Sequence, residues 1–464
     1  MLLGGCGTPA SFVGSEHEPP TTPETITVTF PPIARHEFGG DAQLYMLEDR
    51  SSPLVSLGVC IQAGFADDPV NKEGLARLVV SCMRRSGGGH LEGLTTLGAE
   101  LSSRLRPQSI GLRCTVERKY AAQALALLVR GFSKLDRDPA LFERERNAQL
   151  ELLGAMRSDP RSLGGHGIVF ASLPVAPASR SLATGCPESV ASISHEDFLR
   201  WVDAHLRPSR LSFALAGNLS LDEAKSWAIA AATGWTVATR TPASPTPPVP
   251  IDPDRHGAVL TPLPGMQDVI LSYGGTEAPY GARDRVLIET ANSFVASFIN
   301  RKLRTHLRAA YGVDWQAWQT RSEIVTQYFA PVTPEALAPA IQGCRRQLEQ
   351  LQDDPQIRRR AGLIANENRL AQYVAQMRRY ETTSAACGQL LNMADVRLPV
   401  ERAYRELDQL YALDGSKIAS VISERFAPEK MRWSVVGPPE AIERAAGSFG
   451  AAKVVRRTVE GLVG

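Results

Sequence analysis

No run in this 464-residue chain approaches the roughly 18 apolar residues needed to cross a bilayer as a helix. The stretch Ala124-Leu125-Ala126-Leu127-Leu128-Val129 stops at Arg130, which is the length of a buried helix segment. An excess of either charge is also missing. Lys and Arg total 51 against 49 Asp and Glu, leaving a net +2 that gives no drive toward nucleic acid or anionic lipid. Paired cysteines are absent. Cys6, Cys60, Cys82, Cys114, Cys186, Cys344 and Cys387 form no C-x-x-C and no zinc knuckle, so most read as small buried apolar residues. The histidines (His17, His36, His90, His166, His195, His205, His256 and His306) include no pair four residues apart. That excludes two imidazoles on successive turns of one helix face. Gly87-Gly88-Gly89 lacks the Lys and Ser/Thr of a phosphate loop and reads as a turn. No Ser/His/Asp arrangement follows from spacing.

What is present is an ordinary globular composition, 43% apolar and 22% charged. Length alone suggests about three domains at ~150 residues each. The pattern suggests two. Ile26–Phe30 and Gln43–Leu47 read as strands, and Val55–Gln62 alternates apolar with small or polar residues, the mark of a half-buried strand. Ala63–Asp68 is a turn leading to an opening helix whose Leu75, Leu78, Val79 and Cys82 suit a core face. Leu112, Cys114 and Val116 alternate as another strand. Asp138-Pro139 supplies an N-cap and N1 for a long helix to about Met156. Leu211, Phe213 and Leu215 alternate in a strand ending at Gly217, after which Ser220 and Glu223 fit a capping box. The segment Arg207–Gly217 is echoed by Ala427–Gly437, with Pro208 answering Pro428 and Gly217 answering Gly437. Between the copies, the proline-rich segment 241–250 cannot pack as helix or sheet. The expected organisation is a leader or tether at 1–24, a first domain at 25–236, a linker at 237–255 and a second, similar α+β domain at 256–464.

Leu3-Gly4-Gly5-Cys6 resembles a bacterial lipobox, with Cys6 the lipidated residue and the Pro/Thr/Glu-rich segment 8–22 its tether. Only five residues precede Cys6, too few for the charged and apolar parts of a signal peptide. The expectation is a bacterial periplasmic or outer-membrane protein that meets the membrane only through such an anchor.

Several blocks, in order, resemble the insulinase/pitrilysin superfamily, particularly the processing-peptidase branch. They are Leu47–Ser56 with Ala63–Asp67, Glu73-Gly74-Leu75-Ala76, Leu97–Leu101, Pro187–Phe198 and Leu307–Val313. The resemblance implies two tandem domains, each a mainly antiparallel sheet packed with helices, the LuxS/metallopeptidase-like fold. In active members an H-x-x-E-H helix follows the Gly-Leu-Ala lead: two imidazoles bind zinc and the Glu activates its water. Carried onto this chain, those positions are Arg77, Val80 and Ser81. Arg has no lone pair to give, Val can neither take a proton nor polarise water, and Ser alone is a poor zinc ligand. The third ligand position falls on Leu152, with Glu151 one residue away, about 100° around the helix. The resemblance therefore implies a homologue with no catalytic residue, no metal and no cofactor.

It also implies a peptide-holding Arg and Tyr in the second domain, matched here by Arg308 and Trp315. Trp can pack on a peptide and donate one hydrogen bond, but cannot accept one as Tyr does. The basic cluster Arg301, Lys302, Arg304 and Arg308, with Arg358–Arg360 and Arg378-Arg379, reads first as solvated helix faces. The leading expectation is a silent subunit that pairs with a zinc-bearing homologue and contributes to a cavity for extended peptides. The alternative is a stand-alone or homodimeric envelope protein that binds peptides or acts as a scaffold. An active zinc peptidase is third.

Overall fold

Two six-stranded sheets, each crossed on one face by a helix from the other half of the chain, organise the molecule. The computed structural model describes residues 32–460, except 40–41, 86–90, 157–158, 173–182, 236–256, 278–284, 320–323, 357–358, 360–368, 396, 412–414, 428–429 and 451. Cys6, the tether, the expected strand Ile26–Phe30, Gly87–Gly89 and the proline-rich linker lie outside the described residues.

The first sheet comprises β1 (Ile33–Gly39), β2 (Ala42–Glu48), β3 (Leu54–Ile61), β4 (Ser102–Leu105), β5 (Ile110–Glu117) and β6 (Leu211–Gly217). Their spatial order is β1-β2-β6-β3-β5-β4. The second comprises β7 (Ala258–Pro262), β8 (Val269–Glu277), β9 (Asp314–Gln319), β10 (Ile324–Val332), β11 (Arg432–Gly437) and β12 (Val454–Arg456), in the order β12-β7-β11-β8-β10-β9. β6 lies parallel to β2 and antiparallel to β3, while β11 lies parallel to β7 and antiparallel to β8. The echoed segments thus occupy the same place in two similar α+β domains.

The helices of the first half are α1 (Leu75–Arg85), α2 (Gly93–Thr96), α3 (Ala121–Ser133), α4 (Pro139–Met156), α5 (Pro160–Ser172), α6 (Pro187–Ser192), α7 (His195–His205) and α8 (Leu221–Ala232). Those of the second are α9 (Arg285–Asn300), α10 (Leu337–Asp353), α11 (Arg369–Arg378), α12 (Thr383–Asp395), α13 (Glu401–Tyr411), α14 (Gly415–Arg425) and α15 (Pro439–Ala445). A π-helical turn, Arg301–His306, extends α9. The helix starts follow the side chains that satisfy their free N–H groups. Asp138 accepts from Ala140 N at 3.0 Å to start α4, and Ser220 and Glu223 cap α8 reciprocally.

The expectation of a half-buried strand at Val55–Gln62 is corrected: from Val55 to Ile61, β3 is buried on both faces. Val55, Leu57, Val59 and Ile61 enter the core with α1 and α3. The opposite face (Ser56, Gly58, Cys60, Gln62) lies under α12, from more than 300 residues further along. Ser56 Oγ donates to Thr383 Oγ1 at 3.1 Å and Gln62 Nε2 to Ala394 O at 2.9 Å. A methyl carbon on Gly58 would stand 2.6 Å from Leu391 Cδ1, so a larger residue there would require the Leu391 side chain or α12 to shift. In return, α5 lies across the second sheet over β7, β8, β10 and β11, packing Leu163 and Ala171 against Val259 and Val436. Each half covers the other's sheet.

Candidate functional site

The helix that would carry zinc is held firmly at its start. Asp68 Oδ2 accepts from Gly74 N at 2.9 Å and Oδ1 from Ala76 N at 2.8 Å, satisfying two of the free N–H groups of α1. Gly74 has φ +96°, and a Cβ there would stand 2.6 Å from both Gln149 Nε2 and Thr184 O, so glycine is required twice over. Gln149 on α4 donates to Gly74 O at 3.1 Å and to Thr184 O at 2.8 Å, and Ser189 Oγ on α6 donates to Glu73 O at 2.8 Å. Three elements thus fix the first turn of α1.

Along α1, Leu75, Ala76, Leu78, Val79, Val80, Cys82 and Met83 are buried, as the apolar periodicity required. Arg77 and Ser81 are half-buried and, being four residues apart, share a face. Burial pulls the Arg77 guanidinium below its ordinary pKa, and no hydrogen bond or ion pair reaches it among the described residues. On α4, which packs against α1, Leu152 is 37% exposed and Glu151 is exposed, while Leu153 is fully buried. Leu152 lies three residues beyond Gln149, whose side chain reaches Gly74 at the start of α1. A guanidinium, two aliphatic side chains and one hydroxyl do not make a zinc donor set. Among the described residues no group of three or more His, Cys, Asp or Glu could hold a metal ion.

Three of the described histidines have local polar partners. His195 Nε2 lies 2.8 Å from Arg137 O, His205 Nδ1 lies 3.0 Å from Arg210 Nη1, and His306 Nδ1 lies 3.1 Å from Arg301 O. His166 is buried on α5, and loss of water lowers its pKa to about 4. The described cysteines are free thiols, all buried except half-buried Cys186, whose Sγ caps α6 by accepting from Ser189 N.

Beside α1 lies β4, an edge strand of the first sheet, paired with β5 on one side and, among the described residues, with no strand on the other. Between β4, β5 and α12 opens a cleft of about 350 Å³. Its polar lining includes Ser102, Ser103, Arg104, Arg113, Gln389 and Asn392. Arg104 Nη1 donates to Asn392 Oδ1 at 2.9 Å and Arg104 Nη2 lies 2.8 Å from Asp395 Oδ2, a carboxyl whose pKa burial raises. Arg113 Nη1 donates to Ser384 O at 2.9 Å. Sequence reasoning missed this cleft. Its signal was two arginines on strands whose other residues are mostly apolar or small, each requiring a polar partner from elsewhere.

Arg308 and Trp315 lie at the corresponding edge of the second sheet. Arg308 is exposed at φ +49° in the loop that feeds β9, and Trp315 is half-buried on β9, opposite Tyr328 of β10. The structure places both at one edge and records no hydrogen bond or ion pair for either side chain among the described residues. Within the basic cluster, Arg301 and Arg304 are exposed, as a solvated helix face requires.

Comparison with known proteins agrees with this architecture. Residues 192–358, from the end of α6 to just beyond α10, match the family model described as Peptidase M16 inactive domain. No curated protein sequence matches the chain. A peptidase M16 inactive domain from Pseudomonas fluorescens shares the fold with a TM-score of 0.75 at 15% identity, covering 88% of this chain and 98% of that one. A protease from Helicobacter pylori matches with a TM-score of 0.78 at 15% identity, over 88% of this chain and 100% of that one. The periplasmic protease PqqL from Escherichia coli matches with a TM-score of 0.71 at 11% identity. The match covers 93% of this chain and 52% of PqqL.

Proposed function

We propose that this chain, an inactive-type homologue of the insulinase-like (M16) peptidases, is the silent subunit of a heterodimeric peptidase, pairing with a zinc-bearing homologue and contributing a surface for extended peptides. The observation that carries the reading is at α1. Every position that would do chemistry is altered (Arg77, Val80, Ser81), while the frame that positions the helix is complete in Asp68, Gly74 and Gln149. A fold built to present a zinc helix, without the zinc chemistry, is suited to shaping a site that another subunit completes.

The surface for peptide is the open edge of β4, with the cleft beside it. An extended segment can add as a further strand, its backbone pairing with free edge groups and its alternate side chains entering the cleft. Arg308 and Trp315 at the β9 edge are a second contact for the same ligand class. That this chain spans only about half of PqqL supports a site completed by a homologous partner. The full-length matches to chains of similar size from Pseudomonas fluorescens and Helicobacter pylori favour the second reading, a stand-alone or homodimeric peptide-binding or scaffold protein. The proposed location is the bacterial periplasm or outer membrane, with Cys6 as lipid attachment. No helix among the described residues is long and apolar enough to cross a membrane.

Coexpression with an H-x-x-E-H homologue encoded in the same genome tests the assignment. The expected result is copurification and a peptidase activity that falls when this chain is omitted. A partner that neither associates nor changes activity sinks the heterodimer, and peptide binding by the isolated chain then selects the stand-alone reading.

A further inference from the structure

The geometry points to a carboxylate-binding site on the former zinc helix, in which Arg77, assisted by Ser81, grips a carboxylate of the bound peptide. This rests on the peptide-binding reading above and adds the chemistry that the ligand must carry.

Arg77 has no hydrogen-bond or ion-pair partner among the described residues. Arg77 sits on a helix whose neighbouring residues are buried, and its guanidinium is drawn partly out of water. Several other enclosed arginines have carboxylates (Arg104 meets Asp395 at 2.8 Å, Arg146 meets Glu143 at 2.6 Å and Arg285 meets Glu289 at 2.8 Å), and buried Arg210 has Gln62 O and His205 Nδ1 as partners. Arg77 has none among the described residues, and the nearby acids are engaged. Asp68 caps α1, Asp67 accepts from Gly64 N at 2.9 Å, Glu73 accepts from Asn71 N at 3.1 Å and Glu145 lies 3.2 Å from Arg144. A guanidinium does not lose its charge to escape this cost, so an outside anion that meets it is favoured over a neutral group.

Geometry identifies the anion. A guanidinium fork matches a carboxylate with two parallel N–H donors. Ser81, one helical turn further on the same face, brings a hydroxyl toward the same side. The helix packs against β4, the last strand of its sheet, so a peptide added along β4 runs beside the helix that carries Arg77. The former metal position keeps a positive charge but has nothing to activate water, so a peptide carboxylate is held there intact.

The test measures binding of three versions of one fluorescent peptide to the full chain: free carboxyl terminus, amidated terminus, and amidated terminus with a Glu replacing the penultimate residue. The wild type is expected to bind a carboxylate-bearing form at least about tenfold more tightly than the plain amide. Arg77→Gln removes that difference, and Arg77→Lys retains part of it because a point charge replaces a fork. Preference for the free terminus alone assigns the terminal carboxylate, while equal preference for the Glu form assigns side chains as well. Equal binding of all three forms, unchanged in Arg77→Gln, overturns the carboxylate site and leaves peptide binding standing. Failure of every form to bind overturns both. Urea unfolding of each variant shows that lost selectivity is not lost folding.

Discussion

Substituting Gly167 with alanine is a direct test of the exchanged helices, because local and tertiary effects have opposite signs there. Gly167 lies inside α5, and on helix propensity alone Gly→Ala stabilises by up to about 1 kcal/mol. The structure opposes this. A methyl carbon at Gly167 would stand 2.0 Å from Ser434 Oγ and 2.7 Å from Ser434 Cβ on β11. The hydroxyl can rotate away, but Cβ is fixed by the strand, so α5 must lift off the sheet. Overpacking costs about 1–3 kcal/mol, and a contact this close to a fixed strand atom belongs in the upper part, about 2–3 kcal/mol, so subtracting the propensity gain of about 1 leaves Gly167→Ala destabilised by about 1–2 kcal/mol. Gly154 in α4 is the control. Nothing lies within 4 Å of an added Cβ, so Gly154→Ala should stabilise. Urea unfolding of both variants gives the two signs. Ser434→Gly should recover part of the Gly167→Ala loss through a positive coupling in the double-mutant cycle. A Gly167→Ala protein as stable as Gly154→Ala would refute the close packing of α5 on the second sheet.

Two further outcomes follow from buried charges at the junction of the halves. His166 has a folded pKa of about 4 against 6.5, so its contribution is fully present above pH 6.5 and is lost as pH falls toward 4, by at most about 3 kcal/mol. His166→Leu should flatten the urea midpoint against pH over that range, and an unchanged slope would remove His166 as the cause. The Arg104–Asp395 pair joins β4 to α12, and Ser109 also hydrogen-bonds Asp395. Asp395→Ala strands the guanidinium and should cost about 3–5 kcal/mol, whereas Arg104→Met with Asp395→Leu should recover most of the loss. Equal unfolding midpoints for single and double variants would deny the pair its structural part.

Features governed by neighbouring residues were legible in the sequence. Leu75, Leu78, Val79 and Cys82 all reach zero exposure because a 3.6-residue period defines one helix face whatever lies against it. Asp138 and Ser220 start their helices because capping is settled within three residues. The echo of Arg207–Gly217 in Ala427–Gly437 marked equivalent strands, β6 and β11, because each sheet needs the same strand in the same place. Features governed by distant residues were not legible. The alternation at Ser56, Gly58 and Cys60 read as a half-buried strand, since small and polar residues suit either water or a close-packed helix, and only the arrival of α12 decides between them. The cleft at β4 was hidden for the same reason: Arg104 and Arg113 meet partners at Ser384, Asn392 and Asp395. At Arg77, the resemblance implied a replaced zinc ligand. The structure added that the replacement is enclosed and without a counter-charge among the described residues.

The exchange of α5 and α12 also determines where a ligand can act. Separating the halves would expose Gly58, Cys60 and Ala214 on one sheet and Ser272, Ser434 and Val436 on the other, faces shaped to take a helix closely. Such surfaces are costly to open, so the sheet faces are structural and recognition falls to the edges, where backbone groups lack a neighbouring strand. On the first sheet that edge is β4, beside α1. The frame of α1 consists of a carboxylate cap, a left-handed glycine and a glutamine bridge, none of which is a metal ligand. The fold therefore loses no support when zinc-binding residues are replaced. On the proposed reading, an arginine at position 77 changes what the edge selects while leaving the edge itself in place.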